Sequence, residues 1–446
     1  MSGTLLDSSI GARRSVLEPL ESRLPTVTRR AVMPAGFRAA AATVGIKLSG
    51  RPDLALIVTG LGRDDDPPVP AAAIFTTNSL PAAPVRLSQD HLARTLRTGS
   101  GSFGWTRAIV ATSGSANAAT GHDGDADQAA IAGHLASALG VQVEQILALS
   151  TGIIGSRLPV DRITAGIDRL APEVNDSDDA LEAFAAAICT TDSRIKVATT
   201  SVPIEDADGT RAFRVSGVAK GVGMIHPRMA TMLAAILTDA PAQPATLDAI
   251  LRAAASTTWN QLSVDGDTST NDTVFLLASG AAGGPAIQPG SPSGAALARA
   301  VEAVARDLAR QQAADGEGAT TLLTCQVSGA REDAEARALA RSVVSSSLVK
   351  AAVHGRDPNW GRIAAAAGNA GIPIDPDRLR IAIAGTLVFD GSVSGAQAFD
   401  RETVRAAMDA PELLVRVDLG VGDGVGEAFG CDLTEAYVIE NSEYTT

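Results

Sequence analysis

Short apolar runs bounded by glycine, proline and polar clusters recur along the chain and read as buried strands. Residues 54–59, 73–77, 108–112 and 146–149 are of this kind in the first third, and 232–237, 322–327, 379–389 and 413–417 follow later. Residues 197–204 and 213–219 flank Asp206-Ala207-Asp208-Gly209, which predicts a hairpin with that tetrapeptide as its turn. Elsewhere the apolar period lengthens to that of a helix. Ile131, Leu135 and Leu139 share one face of 126–140, where Gly140 is the stop signal. Leu181, Phe184, Ala185 and Ile188 fall on one helical face. Residues 246–255 predict another helix, and Leu297, Val301, Val304 and Leu308 mark a long amphipathic helix that ends at Asp315.

Composition narrows the picture. A chain of 446 residues holds one large domain or two ordinary ones, and its 45% hydrophobic and 20% charged content is that of a globular protein. The net charge of -13 and sequence pI near 4.9 argue against nucleic acid or an anionic membrane as partner. No run of apolar residues is long enough to predict a membrane span. Cys189, Cys325 and Cys431 are odd in number and widely spaced, which is neither a disulfide framework nor a metal-ligand pattern. Together these features predict a cytoplasmic protein. Residues 1–32 carry several arginines without an apolar core, so they predict a flexible extension rather than a secretory signal.

One stretch carries unusual chemistry. Lys220-Gly221-Val222-Gly223-Met224-Ile225-His226-Pro227 leads through Arg228-Met229 to Ala230-Thr231, and the apolar run 232–237 begins at once. A hydroxyl next to a small residue in a held backbone can attack the preceding carbonyl. Cleavage between Ala230 and Thr231 would give Thr231 a free α-amine with an ordinary pKa of about 7.7–8.0, able to take the proton of its own hydroxyl. Taken alone, Gly-x-Gly and Ala-Thr also suit an ordinary strand entry. A second candidate is Ser150-Thr151-Gly152 at a strand end, where a hydroxyl and a backbone N–H can point at one oxyanion; removing one such donor costs about 10²–10³ in rate. The loop Ser113-Gly114-Ser115-Ala116-Asn117 is a candidate wall of the same site. The run Asp265-Gly266-Asp267-Thr268-Ser269-Thr270-Asn271-Asp272 suggests a Ca²⁺ or Mg²⁺ loop but lacks the EF-hand spacing, so no metal is expected.

Residues 220–238 resemble the self-cleaving site of the ornithine acetyltransferase family, also called glutamate N-acetyltransferase. The family pattern is Lys-Gly-x-Gly-Met-Ile/Leu-x-Pro-x-x-Ala-Thr-Met-Leu, ending in Thr-Asp-Ala. The resemblance recurs in order at Phe75-Thr76-Thr77-Asn78, Ser150-Thr151-Gly152, Thr190-Thr191-Asp192, residues 263–273, Glu317-Gly318-Ala319-Thr320, His354-Gly355-Arg356-Asp357-Pro358-Asn359 and the C-terminal stretch. It covers roughly residues 33–446.

The resemblance implies an α+β fold of mixed sheets sandwiched between helices, with a smaller C-terminal domain and N-terminal-nucleophile-like self-cleavage. It implies an α chain, 33–230, and a β chain, 231–446, two of each forming a heterotetramer. The implied reaction is ping-pong acetyl transfer from N-acetyl-ornithine to glutamate without a cofactor, acetyl-CoA being a possible alternative donor. Thr231 would be the nucleophile. Thr151 and Gly152 would hold the oxyanion. Lys220, Glu317, Asn441, Thr446 and one of Thr190 and Thr191 would bind substrate. Residues 263–273 and 354–363 are implied to be architecture. The chain departs from the family at Thr112 and Ser115, where asparagines are usual. Two other readings therefore stay open, a paralogue acting on another N-acyl amino acid and an amidohydrolase on the same catalytic plan.

Overall fold

The computed structural model describes residues 15–20, 23–60, 66–96, 101–206, 209–226, 232–393 and 398–443. The chain forms two compact units. The larger spans Arg23–Ala319 and takes up the chain again from Glu435, and the smaller holds Thr320–Thr434 with residues 15–20.

In the larger unit the order is β1 (Phe37–Ala42), β2 (Leu54–Thr59), β3 (Val69–Phe75), α1 (Ala83–Arg94), β4 (Phe103–Thr106) and β5 (Ala108–Ser115). Next come α2 (Gly121–Leu139), β6 (Ile146–Ile153), α3 (Val160–Leu170) and α4 (Asp178–Ile188). A long hairpin of β7 (Lys196–Asp206) and β8 (Gly209–Lys220) leads to β9 (Leu233–Thr238), α5 (Pro244–Thr257), β10 (Thr273–Ala278) and α6 (Pro292–Ala314). A last helix, Glu435–Glu443, belongs to the same unit. The strands make a four-stranded sheet, β1-β2-β5-β6, and a six-stranded sheet, β4-β3-β10-β9-β8-β7. The pairs β5–β6 and β9–β10 are parallel.

Strand alternation explains the layering. Ile57, Ile109 and Leu147 of the smaller sheet share one core with Leu233, Leu237 and Phe275 of the larger, and Leu181, Phe184 and Ile188 of α4 join it. The other face of the smaller sheet, through Leu54, Leu56 and Val110, packs on Ile131 and Leu135 of α2 and Ile163 and Ile167 of α3. On the larger sheet, a Cβ at Gly217 would lie 2.7 Å from Val304, so only glycine lets α6 sit this close to β8. Both faces of each sheet are thus covered, which is why β2, β9 and β10 read as unbroken apolar runs. The fold is α+β with sheets between helices, as expected. The described part of the expected N-terminal extension is held: Thr28 and Thr199 exchange backbone hydrogen bonds of 2.8 and 2.9 Å.

The smaller unit contains β11 (Leu322–Ala330), α7 (Asp333–Ser345), α8 (Ser347–His354), α9 (Trp360–Gly368), β12 (Arg380–Ile383), β13 (Thr386–Asp390), α10 (Arg401–Ala407), β14 (Glu412–Asp418) and β15 (Gly424–Cys431). Its sheet order is β13-β12-β14-β11-β15. The strand expected over 379–389 is instead a hairpin, because Ala384 and Gly385 both take positive φ, 47° and 80°, and reverse the chain. The stretch 354–363 is architectural here: Asn359 caps α9 by accepting from the Arg362 amide, and Trp360 stacks on Phe389 at 4.5 Å.

Phe184 is fully buried between α4 and the inter-sheet core. Phe184→Ala is expected to lower the stability of the larger unit by about 3–5 kcal/mol in chemical denaturation. A loss under about 1 kcal/mol would show that this core closes over the gap.

Candidate active site

The site forms where strand ends of the two sheets meet. Strand β6 ends in Thr151-Gly152, with Gly152 at φ 129°. A Cβ there would lie 2.4 Å from the backbone of Gly114, so the close pass of the 113–118 loop requires glycine. Asn271, just before β10, donates to the carbonyls of Ala116 at 2.6 Å and Ser150 at 2.9 Å. It ties both the loop and the end of β6 to the larger sheet.

Strand β8 brings in Lys220, which is buried and donates from Nζ to Thr151 Oγ1 at 3.1 Å. Its carbonyl accepts from Gln312 Nε2 at 2.9 Å, and Gln312 in turn accepts from the buried Trp259 indole. Asp192 accepts from the Gly221 amide, next to Lys220 in the chain, at 2.8 Å and from the Thr190 amide at 3.0 Å. Burial works against its charge, but Lys220, Lys196 and the Gly221 amide outweigh that and hold its carboxyl down at about 2.

Glu317 enters from the loop after α6. Its carboxylate accepts from Thr191 Oγ1 at 3.0 Å and from Asn441 Nδ2 at 2.9 Å. A Cβ at Gly223 would lie 2.3 Å from Glu317 Oε2, so a larger residue there would displace the carboxylate. Gly318, at φ 65°, lets the last helix come close: a Cβ there would meet the Tyr437 amide at 2.4 Å.

The stretch 263–273 grips both flanks of the predicted cleavage motif. Asp265 accepts from the amides of Met224 at 2.5 Å and Ile225 at 2.9 Å, which fixes Met224 at φ 54°. Beyond the motif, Asp272 accepts from the Met232 amide at 2.8 Å. Burial raises both carboxyls, Asp272 well above its ordinary range. Asp272 Oδ2 is buried with no hydrogen-bond partner among the described residues.

Thr151, Gly152, Thr190, Thr191, Lys220, Glu317 and Asn441 line one cleft with a cavity volume of about 130 Å³. Ala116 supplies the expected wall from the 113–121 loop. Ala230, Thr231 and Thr446 lie outside the described residues. Thr191, not Thr190, places its hydroxyl on Glu317; Thr190 instead contributes its amide to Asp192. Thr112 and Ser115 point into the frame: Thr112 Oγ1 bonds Ser150 Oγ at 2.8 Å and Ser115 Oγ donates to the Ser156 carbonyl at 2.8 Å. Asp265 and Tyr437 also line the cleft and were not singled out from the sequence. No cluster of residues suited to a metal ion occurs among the described residues.

A hydroxyl and glycine at a strand end, a buried lysine beside them and an acid opposite, on two sheets packed between helices, are the groups an acyltransferase site calls for. The chain belongs to the ArgJ family, whose model matches residues 38–446, and it is an N-acetyltransferase. The arginine biosynthesis bifunctional protein ArgJ of Thermus thermophilus is 46% identical over 415 residues, 93% of this chain and 99% of the relative. That of Thermosynechococcus vestitus is 44% identical, over 92% of this chain and 96% of the relative. A solved structure of ornithine acetyltransferase complexed with ornithine, from Mycobacterium tuberculosis, is 34% identical across 45% of this chain and 98% of that chain, with a TM-score of 0.38.

Gly152→Ala is expected to lower kcat of acetyl transfer by at least about 10²-fold, because the clash with Gly114 displaces the amide that the resemblance implies as an oxyanion donor. Steady-state kinetics on folded protein checks this, and a change under threefold would remove Gly152 from that role.

Proposed function

We propose that this protein moves an acetyl group from N-acetyl-ornithine to glutamate through an ester on Thr231, after the chain cuts itself between Ala230 and Thr231. The observation that carries the reading is the polarity of the cleft. Lys220, a buried cation, touches Thr151 on one side, and Glu317, held by Thr191 and Asn441, stands on the other. An α-amino acid brings a carboxylate to the first and an amine to the second.

The Thr231 hydroxyl oxygen bonds to the acetyl carbon while its proton passes to the Thr231 α-amine. Thr151 and the Gly152 amide stabilise the oxyanion. The carbon–nitrogen bond of N-acetyl-ornithine then breaks, and ornithine leaves with the proton on its amine. The glutamate amine attacks the ester, gives up a proton through the same α-amine, and restores the Thr231 hydroxyl. Thr446 completes the carboxylate end, as the resemblance implies. No cofactor is required, since every group in the route belongs to the chain or its substrates. The mature assembly is two α chains and two β chains in the cytoplasm.

Asp265 and Asp272 support self-cleavage by fixing the backbone on both sides of the motif. The Met232 amide belongs to the peptide that follows Thr231, so anchoring it limits how the scissile segment can turn.

Intact-mass measurement of denatured protein is expected to give two chains meeting between Ala230 and Thr231, and Thr231→Ala a single chain near 45.3 kDa. A single wild-type chain would overturn the reading. Acetate release exceeding transfer at saturating glutamate would replace the transferase with a hydrolase. Asp272→Ala is expected to slow appearance of the two chains about tenfold, because the buried Met232 amide is left without its acceptor, a cost of roughly 1–3 kcal/mol. Unchanged cleavage kinetics in a time course would show that the Met232 anchor is dispensable.

A further inference from the structure

Lys196 is fully buried and lies outside the cleft lining, in the first residue of β7. Its ammonium donates to Asp192 Oδ1 at 2.6 Å, Asp315 Oδ2 at 2.6 Å and the Arg194 carbonyl at 3.2 Å. Asp192 follows Thr190 and Thr191 in one lining segment, and Asp315 precedes Glu317 in another. Asp192 holds the amides of Thr190 and Gly221, and Asp315 holds the Ser193 amide and hydroxyl two residues before Glu317. Burying a lysine with a pair of carboxylates gives weak stabilisation at best, whereas removing one member leaves uncompensated charge. The arrangement therefore asks for a reason beyond stability.

The charges around Asp192 supply one. Both Lys220 and Lys196 act on its carboxylate. Lys220 is the cation that the proposed substrate carboxylate needs, and its hydrogen bond to Thr151 orients the oxyanion hydroxyl. A carboxylate buried behind Lys220 competes with substrate for that ammonium. Lys196 occupies the Asp192 oxygen and takes up the competition. We propose that Lys196 is a positioning residue that keeps Lys220 available: it neutralises Asp192 from behind, so that Lys220 stays on Thr151 and open to the α-carboxylate of donor and acceptor alike. This rests on the reading of Lys220 as the carboxylate-binding cation.

The test compares K196M, the double variant K196M/D192N and K220M in the full-length, processed protein. K196M is expected to raise KM for both N-acetyl-ornithine and glutamate by at least about tenfold, with a smaller fall in kcat. Adding D192N, which removes the competing charge, is expected to bring KM back to within about threefold of wild type, the non-additive outcome of coupled residues. A purely structural role predicts the reverse, because the second substitution removes a further bond from Thr190 and Gly221. Processing into two chains and the melting temperature report the fold. If K196M does not fold, K196Q, which keeps hydrogen bonds to both acids without the charge, carries the same expectation. K220M separates the two readings. An unchanged KM in K220M would sink the role of Lys220 itself. A raised KM in K220M with an unchanged KM in K196M, or no recovery on adding D192N, would overturn the role of Lys196 alone.

Discussion

The hydrogen bond from Lys220 Nζ to Thr151 Oγ1 joins the end of a strand in the six-stranded sheet to the end of a strand in the four-stranded sheet. The chemistry depends on that joint. Neither sheet alone holds both Thr151 and Lys220. Their relative placement is set by a core of alternating side chains from both inner faces, with α4 wedged into the same cluster. Asn271 ties the joint a second time, with two carbonyls on one amide group. Donors held this way do not reorganise when charge develops, which is the condition for strong oxyanion stabilisation.

The acids around the joint are used in two opposite ways. Asp192 is kept ionised at the back of Lys220, with cations and an amide outweighing its burial. Asp265 and Asp272 are pushed toward the neutral form by burial and serve as acceptors for backbone amides on either side of residues 227–231. A carboxyl accepts an N–H in either protonation state, so both can fix backbone whatever their charge. The acidic run that first suggests a metal loop is therefore a backbone clamp.

Much of this was legible in the sequence because the site lies on motifs that sit at element ends. Ser150-Thr151-Gly152 closes a strand and its hydroxyl and glycine marked it from the residues alone, whereas Lys220, which closes another strand, and Glu317, which follows a helix stop, were assigned by the resemblance. Ala126–Gly140 was read as a helix, and the observed one starts earlier, at Gly121, where Gly121-His122-Asp123-Gly124-Asp125 contains no apolar side chain to show a period. Three features were not legible. The helix Glu435–Glu443 exposes Val438 and Ile439 and has no apolar stripe, so only its tertiary contacts, Asn441 on Glu317 and Tyr437 over Gly318, reveal it. The hairpin at Ala384-Gly385 was masked by an alanine in the left-handed region, where glycine or asparagine would have given the signal. The Asp192–Lys196–Asp315 group joins residues more than a hundred positions apart, and each looks like a solvated surface charge until the fold buries it.

That last group shows why buried charge near a site is better judged by what it competes with than by the bonds it makes. Lys196 and Lys220 face Asp192 and Asp315 in a region nearly closed to water, so charge is close to balanced before substrate arrives. Burial pushes the Asp272 carboxyl well above its ordinary range. The cleft is left with an ammonium at one side and a carboxylate at the other. A zwitterionic amino acid supplies the missing partner to each. In a low-dielectric pocket that pairing is strong only if no internal group has already taken its place.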